Sequence, residues 1–289
     1  MSLNGIDIAS YQKGINLGIV PCDFVIIKAT QGTSYVNPDF ERAYRQAKDN
    51  GKLLGIYHYG NGVGATKEAD FFIKVVGARI GDAVLVIDWE SAQNSQFGKS
   101  DVTYVKIFCD RVYNKTGVRP MVYMSKSVCR AHDWSSVAKI YALWVAQYAN
   151  NNTTGYQKTP WTDSRSYGAW TAPVIFQYSS KGRLKGWSGN LDLDIAYLTP
   201  EQWRAYATGG KQEEQKPAEP VTEIKLPELK RGSKGVAVIW IQSALGGLTV
   251  DGDFGWKTMN RVIEFQKAHG IEPTGTVDNL TWANITHTL

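Results

Sequence analysis

Short apolar runs recur along the first part of the chain and are rich in Val, Ile and aromatic residues. Runs of this length and composition are typical of buried β-strands. They alternate with segments in which apolar residues recur at helical spacing, as in 38–51, 66–76 and 101–117. The first of these segments has Pro38 at its start and Gly51 at its end, which favour helix entry and exit. The predicted strands are residues 5–9, 24–29, 53–59, 84–89, 120–124, 142–148, 174–179 and 191–197.

The alternation of strands and helices indicates a fold class. Strands that are apolar throughout are covered on both faces, which indicates a mainly parallel sheet between helices. Eight strand candidates within residues 1–207 favour a closed barrel over an open sheet. The later connections have weak helical signals. We therefore predict an α/β protein with an irregular β/α (TIM-like) barrel.

The composition changes at residues 208–227, which are rich in Lys, Glu, Gln and Pro and poor in apolar side chains. Such a segment buries too little surface to order itself, so it is predicted to link two domains, 1–207 and 228–289. Apolar residues at helical spacing around glycine turns predict a small three-helix domain after the linker. The positions that define its helices are Val236, Ile239, Trp240 and Leu245; Val262, Ile263 and Phe265; and Leu280, Trp282 and Ile285.

Charge and cysteine content argue against several classes of protein. The net charge is +5, and no Lys/Arg run is long enough for a nucleic-acid patch, although an anionic polymer is a compatible partner. The three cysteines, Cys22, Cys109 and Cys129, are too few for a disulfide scaffold and are predicted to be buried thiols. The chain begins without a basic leader, and no apolar segment reaches the roughly 18 residues that span a bilayer. We expect no signal peptide, no membrane insertion and synthesis in the cytoplasm.

Acidic residues stand near the ends of several predicted strands, where a parallel barrel carries its chemistry. Asp88 and Glu90 close the fourth run, Asp7 lies in the first and Asp192 in the last. A barrel would bring these four acids to one rim, together with aromatic and amide side chains that suit sugar rings. From these strand ends we assign substrate binding to Tyr57, Tyr59, Tyr123, Gln147 and Tyr178, and Tyr148 and Gln177 also lie there.

Asp88 and Glu90 are two residues apart, so on a strand they point to one side, with Trp89 on the other. Burial and mutual repulsion raise at least one carboxyl pKa, which allows that group to hold a proton near neutral pH. A glycosidase general acid needs this property. The alternative is that either carboxylate only caps the next turn or is solvated in a loop.

Two further patterns are weaker. Residues 60–65, GNGVGA, fit a dinucleotide-binding loop, but their place after the third strand favours a flexible barrel loop. The four histidines have no close metal-ligand spacing, so we predict no metal site and no cofactor. They are His58, His132, His269 and His287.

Six stretches of the first domain follow one another in the order of a known family: GIDIASYQ (5–12), FVIIKATQGTSYVNPDF (24–40), GIYHY (55–59), VIDWE (86–90), WVAQY (144–148) and FQYSSKGRLKGWSGNLDLDIAY (176–197). Together they resemble glycoside hydrolase family 25. The family comprises lysozymes of bacterial and phage origin that have an irregular β/α barrel. It cleaves the β-1,4 bond between N-acetylmuramic acid and N-acetylglucosamine in peptidoglycan. The resemblance covers the whole first domain and implies the same activity here.

The resemblance implies a role for each acid. Glu90 is the general acid, and Asp88 assists as the second carboxylate or positions the acetamido group of the substrate. Asp7 and Asp192 hold the hydrogen bonds and the charge of the site. Asp194 is a rival for the role of Asp192, because a two-residue offset keeps both side chains on one face.

Trp144, in the WVAQY stretch, Gln31 and Asp194 complete the predicted substrate-binding residues. Gln31 departs from the family, which often has Glu in an ATEG stretch. A Gln side chain can form hydrogen bonds but cannot act as an acid or base.

Residues 229–286 resemble the small three-helix peptidoglycan-binding module found beside many wall hydrolases. DGDFG (251–255) and TGTVD (274–278) resemble two copies of one turn-to-helix entry. A generic helical bundle, for example a dimerisation module, is the alternative. The two resemblances together predict a lysozyme tethered to the cell wall. It is expected to be a phage endolysin released through a membrane lesion, with a secreted bacterial autolysin as the alternative.

Two other functions compete with this prediction. One is a non-catalytic protein that binds cell-wall glycan on a degenerate barrel, and the other is a chitinase-like β-hexosaminidase. The four retained acids favour an enzyme over a binding protein.

Overall fold

The computed structural model of the protein describes residues 2–210 and 227–287. Contacts divide the chain into two compact units, 1–212 and 213–289. Most of the predicted linker, residues 211–226, lies outside the described residues. Within the described ranges, no helix has the length and apolar character needed to cross a membrane.

The first unit is a closed eight-stranded barrel, as predicted, with one short extra strand at its rim. All eight predicted strands form, and each begins within two residues of its predicted first residue. The extra strand, β3, pairs with the end of β2 and was not predicted. The strands are β1 Leu3–Ile8, β2 Phe24–Gln31, β3 Tyr35–Val36, β4 Leu53–Tyr59, β5 Val84–Asp88, β6 Met121–Ser125, β7 Leu143–Ala146, β8 Ile175–Gly182 and β9 Leu191–Ala196.

The strands of the barrel are parallel except for β9. Around the barrel, β1, β2, β4, β5, β6, β7 and β8 are parallel neighbours, and β9 closes the circle antiparallel to both β8 and β1. Residues 183–190 join β8 to β9 without a helix. A parallel return needs a longer crossover, so the chain reverses instead. The start of β9, rather than its end, therefore lies at the carboxyl ends of the other strands.

Within residues 2–210 the barrel unit has six helices, and the three predicted segments form the longest of them. Helices are short after β6, and none separates β7 from β8, so the barrel is irregular. The helices are α1 Phe40–Asp49, α2 Ala65–Val76, α3 Asp101–Thr116, α4 Lys126–Ala131, α5 Ser135–Ala138 and α6 Pro200–Thr208. Single 3-10 turns occupy Ser10–Gln12 and Gly77–Arg79.

The barrel has an apolar layer on each face of its wall. One layer fills the space between the strands and the outer helices, and the three buried cysteines lie in it as free thiols. The other fills the barrel, where α6 closes the end at which the parallel strands begin. Trp203 of α6 packs on Phe24, with ring centroids 4.5 Å apart, and its indole N–H donates to the Leu54 carbonyl at 3.0 Å. The carboxyl ends of the strands form the opposite end, called the mouth below.

The described part of the second unit, residues 227–287, contains three helices, α7 Val236–Leu245, α8 Trp256–Ala268 and α9 Asn279–His287. Two buried glutamines organise it in the same way. The Gln242 side chain accepts from the Gly252 N–H at 2.9 Å and donates to the Thr258 hydroxyl at 3.2 Å. Gln266 accepts from the Gly275 N–H at 2.9 Å and donates to the Thr281 hydroxyl at 3.1 Å. The two predicted turn-to-helix entries are thus structural repeats. Of the positions that define the helices, Ile239, Trp240 and Leu280 are exposed, whereas Val262, Trp282 and Ile285 are buried.

Candidate active site

The acids predicted from the strand ends meet at the mouth. Asp7 of β1 pairs directly with Asp192 of β9, and Asp194 lies two residues further along the same face. Asp88 is the last residue of β5, and Glu90 follows it. Because β9 runs in the opposite direction to its neighbours, Asp192 reaches the rim from the start of its strand.

Burial and crowding raise the pKa of every one of these carboxyls. Burial raises the pKa of Asp7 and Asp194 well above the usual range, and the nearby Asp192 carboxylate raises both further. Burial and the Glu90 carboxylate do the same to the pKa of Asp88. The pKa of Asp192 rises to about 6 for the same two reasons. Burial also raises the pKa of Glu90. Carboxyls in this environment can hold protons at the pH where ordinary carboxyls are ionised.

Two buried carboxylate oxygens at the mouth have no hydrogen-bond partner among the described residues, Asp88 Oδ1 and Asp194 Oδ2. Such atoms are costly in a folded protein and concentrate at functional sites. The other oxygen of Asp194 accepts from the Trp144 indole N–H at 2.8 Å. Asp194 is fully buried and held in the wall, whereas Asp192 is partly exposed toward the mouth.

Gln177 of β8 links three side chains of the site. Its Oε1 accepts from the hydroxyls of Tyr123 at 2.8 Å and Tyr148 at 2.5 Å. Its amide donates to Asp7 Oδ2 at 2.6 Å. Because the two tyrosine hydroxyls donate to Gln177 Oε1, the NH2 group of Gln177 faces Asp7 and orients the Asp7 carboxyl. Gln177 and Tyr148 stand at predicted strand ends, but only the pairing of distant strands reveals the network.

The predicted aromatic residues of β4, β6 and β7 line the inside of the barrel below the acids. Tyr57, Tyr59, Tyr123 and Trp144 are each less than a tenth exposed. The rings of Tyr123 and Trp144 pack with centroids 4.4 Å apart. These side chains support the acids from beneath and offer little open ring surface.

The exposed aromatic side chains around the strand ends are different residues. Tyr148 is 37% exposed, Tyr35 of β3 is 38% exposed and Tyr11, just after β1, is 89% exposed. Both unpredicted residues lie near side chains of the mouth. Tyr11 is close enough to Tyr59 to contribute to its raised pKa, and the Tyr35 ring centroid lies 5.7 Å from the Lys28 ammonium. Tyr11 and Tyr35 were not predicted, because the apolar pattern does not distinguish an exposed aromatic residue at a rim from a buried one.

Two predicted substrate-binding residues do not join the inner cluster. Tyr178 lies on the outer face of β8 in the core beneath the helices, and its hydroxyl accepts from the Gln157 N–H at 3.2 Å. Alternation along the strand accounts for this, because Tyr178 is adjacent to inward-facing Gln177. Gln147 holds a loop instead, since its Oε1 accepts from the Thr162 hydroxyl at 2.7 Å.

Gln31, at the end of β2, faces the mouth and has a neighbour that was not predicted, Lys28. The Lys28 ammonium donates to Gln31 Oε1 at 2.7 Å and lies 4.5 Å from the Tyr59 ring centroid. The Gln31 amide donates to Asn61 Oδ1 at 3.0 Å and to Gln93 Oε1 at 2.8 Å. Lys28 was not predicted as a site residue, because a single lysine within an apolar strand does not indicate which face of the strand it occupies.

Trp89 anchors the acid pair from behind. It is fully buried on the side of the strand opposite to Asp88 and Glu90, as predicted, and its indole N–H donates to Asp101 Oδ1 at 2.7 Å. Its backbone N–H donates to the Tyr123 carbonyl at 3.0 Å. These two bonds determine which way the residues on either side of it point.

The loop with the dinucleotide-like pattern is occupied by a carboxylate of the chain itself. The Glu68 side chain accepts from the backbone N–H groups of Asn61 and Val63 and receives a further hydrogen bond from buried His58 at 2.8 Å. A phosphate would need the same N–H groups. Across residues 2–210 and 227–287, no cluster of three or more His, Cys, Asp or Glu side chains could hold a metal ion.

A closed barrel with a pair of raised-pKa carboxyls at its mouth is the arrangement of a glycoside hydrolase. Comparison with protein families places the chain in one family of that class. It belongs to the glycosyl hydrolases family 25, whose model matches residues 6–187. A second model, a putative peptidoglycan binding domain, matches residues 234–285.

Similar proteins extend over the barrel unit. The chain is 36% identical over 195 residues to an N,O-diacetylmuramidase of Chalaropsis sp, a match that covers 62% of this chain and 88% of that protein. The bacterial lysozyme of Streptomyces coelicolor has a similar structure, with a TM-score of 0.59 and 26% identity over 72% of this chain and 98% of that chain. The catalytic domain of endolysin ply40, from a phage of Listeria monocytogenes, shares the fold with a TM-score of 0.58 and 24% identity over 73% of this chain and 98% of that chain.

Proposed function

We propose that the protein is a lysozyme that hydrolyses the β-1,4 bond between N-acetylmuramic acid and N-acetylglucosamine in peptidoglycan. The observation that carries the proposal is the Asp88–Glu90 pair, whose carboxyl pKa values are raised at the mouth of a family 25 barrel. The diacetylmuramidase and lysozyme relatives support the choice of substrate.

Glu90 serves as the general acid in this proposal. It is only partly buried, so it can reach a glycosidic oxygen, and burial keeps its pKa high enough to retain a proton. Glu90 protonates the oxygen that leaves from C1 of N-acetylmuramic acid, and N-acetylglucosamine departs with a free 4-hydroxyl. Water then adds to C1, and its second proton returns to a carboxylate of the site.

The remaining acids stabilise the charge that develops on the sugar ring. Asp88, at the end of β5 and next to Glu90, supplies the second carboxylate, which faces the ring or the N–H of the acetamido group. Asp192 is partly exposed on the β9 side of the mouth, and Asp7 is oriented beside it by Gln177. Trp144 and Tyr123 support this arrangement from within the barrel.

The second unit tethers the enzyme to its polymer substrate. Its match to a peptidoglycan-binding family supports this role. A covalent connection between a binding and a cutting module raises the local concentration of the enzyme at the wall. The likeness to an endolysin domain supports a phage endolysin that acts on the wall after its release, and a secreted autolysin is the second candidate.

Identifying the new reducing end tests the proposed bond specificity. Purified peptidoglycan is digested, the new ends are reduced with borohydride, and the hydrolysed product is analysed by mass spectrometry. Muramitol is expected. Glucosaminitol as the main product would refute the muramidase assignment, and cleavage of chitin at a comparable rate would favour a β-hexosaminidase. Wall binding with no new reducing end would indicate a non-catalytic binding protein.

A further inference from the structure

An irregularity in β2 distinguishes this strand from its parallel neighbours. The register with β4 shifts between Lys28 and Thr30, which leaves Ala29 as an extra residue, a β-bulge. Asn37 stabilises the bulge: its backbone N–H donates to the Ala29 carbonyl at 2.8 Å, and its side-chain amide donates to the Lys28 carbonyl at 2.8 Å. Bulges of this kind redirect side chains next to active sites.

The bulge places two side chains on one face that would otherwise point apart. Residues three apart on a regular strand face opposite sides. Here Lys28 and Gln31 both face the mouth, and the ammonium donates to Gln31 Oε1 at 2.7 Å. Thr30 turns outward instead, where its hydroxyl lies 2.8 Å from the Nδ1 atom of buried His58. Contacts on both sides of the strand therefore maintain the Lys28–Gln31 pair.

Gln31 has three polar partners, and an amide satisfies all of them in the orientations that the structure shows. Gln31 accepts from Lys28 while it donates to the side-chain oxygens of Asn61 and Gln93. A carboxylate could accept from Lys28 but could not donate to the other two. Gln31 thus binds the ammonium without neutralising its charge.

The Lys28 ammonium lies 4.5 Å from the Tyr59 ring centroid, and Tyr59 pairs directly with Asp88 across β4 and β5. From this position its charge acts on the acid pair. It opposes the effect of burial on the pKa of Asp88 and Glu90, and both acids in turn raise the pKa of Lys28, which burial lowers. Asp192 adds negative charge near Asp88, and Lys181 acts on Asp192. The other titratable groups around the pair are Asp7, Asp194, Tyr57, Tyr59, Tyr123 and Tyr148.

We propose that Lys28 and Gln31 form a positioning pair that holds one positive charge beside Asp88 and Glu90 and thereby sets the pH range in which the acid pair works. The proposal rests on the proposed function of those two acids. The bulge places Lys28 and Gln31 on the same face of β2. Because Gln31 is neutral, it does not cancel the positive charge of Lys28 near the acids.

The pH dependence of kcat/KM on soluble peptidoglycan fragments tests this pair. Loss of a positive charge destabilises nearby carboxylates, so Lys28→Met should move both limbs of the pH profile upward by about one unit. Lys28→Arg keeps the charge and should restore the wild-type limbs. Gln31→Glu adds a negative charge beside the ammonium and should move both limbs in the same direction by less. Lys139→Met, an equal charge change at an exposed position, should leave the limbs in place.

Two measurements separate this effect from a structural role and from the proposed reaction. A uniform rate loss or a higher KM with unmoved limbs in both Lys28→Met and Gln31→Glu would overturn the proposal. If Lys28→Met does not fold, Gln31→Glu decides. NMR titration of isotope-labelled Asp and Glu carboxyl carbons measures the same shift without substrate. An upward shift of the carboxyl titration in the variants supports the role of Lys28 and Gln31, even if the products of the wild type refute the muramidase assignment. An unchanged carboxyl titration refutes the role of Lys28 and Gln31.

Discussion

The barrel unit and the small helical unit differ in the kinds of polar side chain that they bury. In the small unit the buried polar side chains are neutral, and Gln242 and Gln266 each join a turn to a helix through several hydrogen bonds. In the barrel, Asp7, Asp88 and Asp194 are buried carboxyls, and two of them keep an unpaired oxygen. Every unpaired buried side-chain atom in the described ranges belongs to the barrel unit.

This difference shows that buried polar side chains can have different energetic consequences. A satisfied buried amide costs little and directs the chain into one arrangement. A buried carboxyl with an unpaired oxygen lowers stability unless its other contacts offset the cost, as they can for Asp101, whose other oxygen holds the Trp89 indole N–H. The barrel mouth therefore gathers buried carboxyls at a cost in stability, whereas the helical unit uses its buried polar groups to hold its turns.

The largest effect is expected from Glu90→Gln. The variant keeps the shape of the side chain but removes the proton donor, and general acid catalysis contributes about 10²–10⁴-fold in rate. Turnover of soluble glycan should fall by that factor, while wall binding and the unfolding temperature should change little. Glu201→Gln, at an exposed position on α6, is the matched control. Turnover close to wild type would contradict the role given to Glu90.

Removal of the small unit should affect wall clearance rather than chemistry. A chain that ends at residue 210 retains every acid of the mouth. We expect it to cleave soluble fragments at the wild-type rate but to bind intact walls about tenfold or more weakly, because a linked module raises local concentration. Sedimentation with purified walls measures the binding. Undiminished binding would show that the barrel unit alone holds the polymer.

Gln266→Leu should destabilise the small unit selectively. It leaves the buried Gly275 N–H without its acceptor, which costs on the order of 1–3 kcal/mol, and it removes one bond of the Thr281 hydroxyl, which keeps Asp278 as a partner. Hydrogen exchange of α8 amides should accelerate and wall binding should weaken, with cleavage of soluble fragments unaffected. Asn260→Leu, an exposed amide on the same helix, is the control. Equal exchange in both variants would mean that the buried amide is not a structural link.

The smallest effect is a pair of opposite pH dependences. The folded-state pKa of Asp194 is raised by burial, so its contribution to stability is present below the unfolded pKa near about 4 and is lost as the pH rises through the folded value. The stability of Asp194→Asn relative to wild type should therefore increase with pH. The pKa of Asp278, before α9, is lowered by hydrogen bonds from Thr281, so its contribution exists above the unfolded pKa and is lost as the pH falls through the folded value.

Denaturant unfolding of both variants at several pH values between about 3 and 8 measures these trends. Asp278→Asn should have a lower free energy of unfolding than the wild type at neutral pH. In acid the two free energies should converge, because Asp278 of the wild type is then protonated and no longer caps α9 as an anion. A difference of the same sign and slope in both variants would show that the two units do not differ in how they use carboxyls.

Much of the barrel could be predicted because its signals are local. Strand length, β-branched composition and polar strand ends lie within a few residues of one another, and they sufficed for eight strands and for the convergence of Asp7, Asp88, Glu90 and Asp192. The two-residue spacing of Asp88 and Glu90 determined that they share a side. Gln177 and Tyr148 were visible as strand ends, but their shared hydrogen bonds join strands that are distant in sequence.

Sequence by itself therefore determined the element types, the two-unit organisation and the position of Asp88 and Glu90 at a strand end, because periodicity and composition are properties of neighbouring residues. Only the tertiary structure decided the direction of β9, the outward position of Tyr178 and the inward turn of Gln31 beside Lys28. These depend on strand register, on a short reversing connection and on a one-residue bulge. A shift of one residue exchanges the two faces of a strand, and the register that decides it is set by pairing with distant strands.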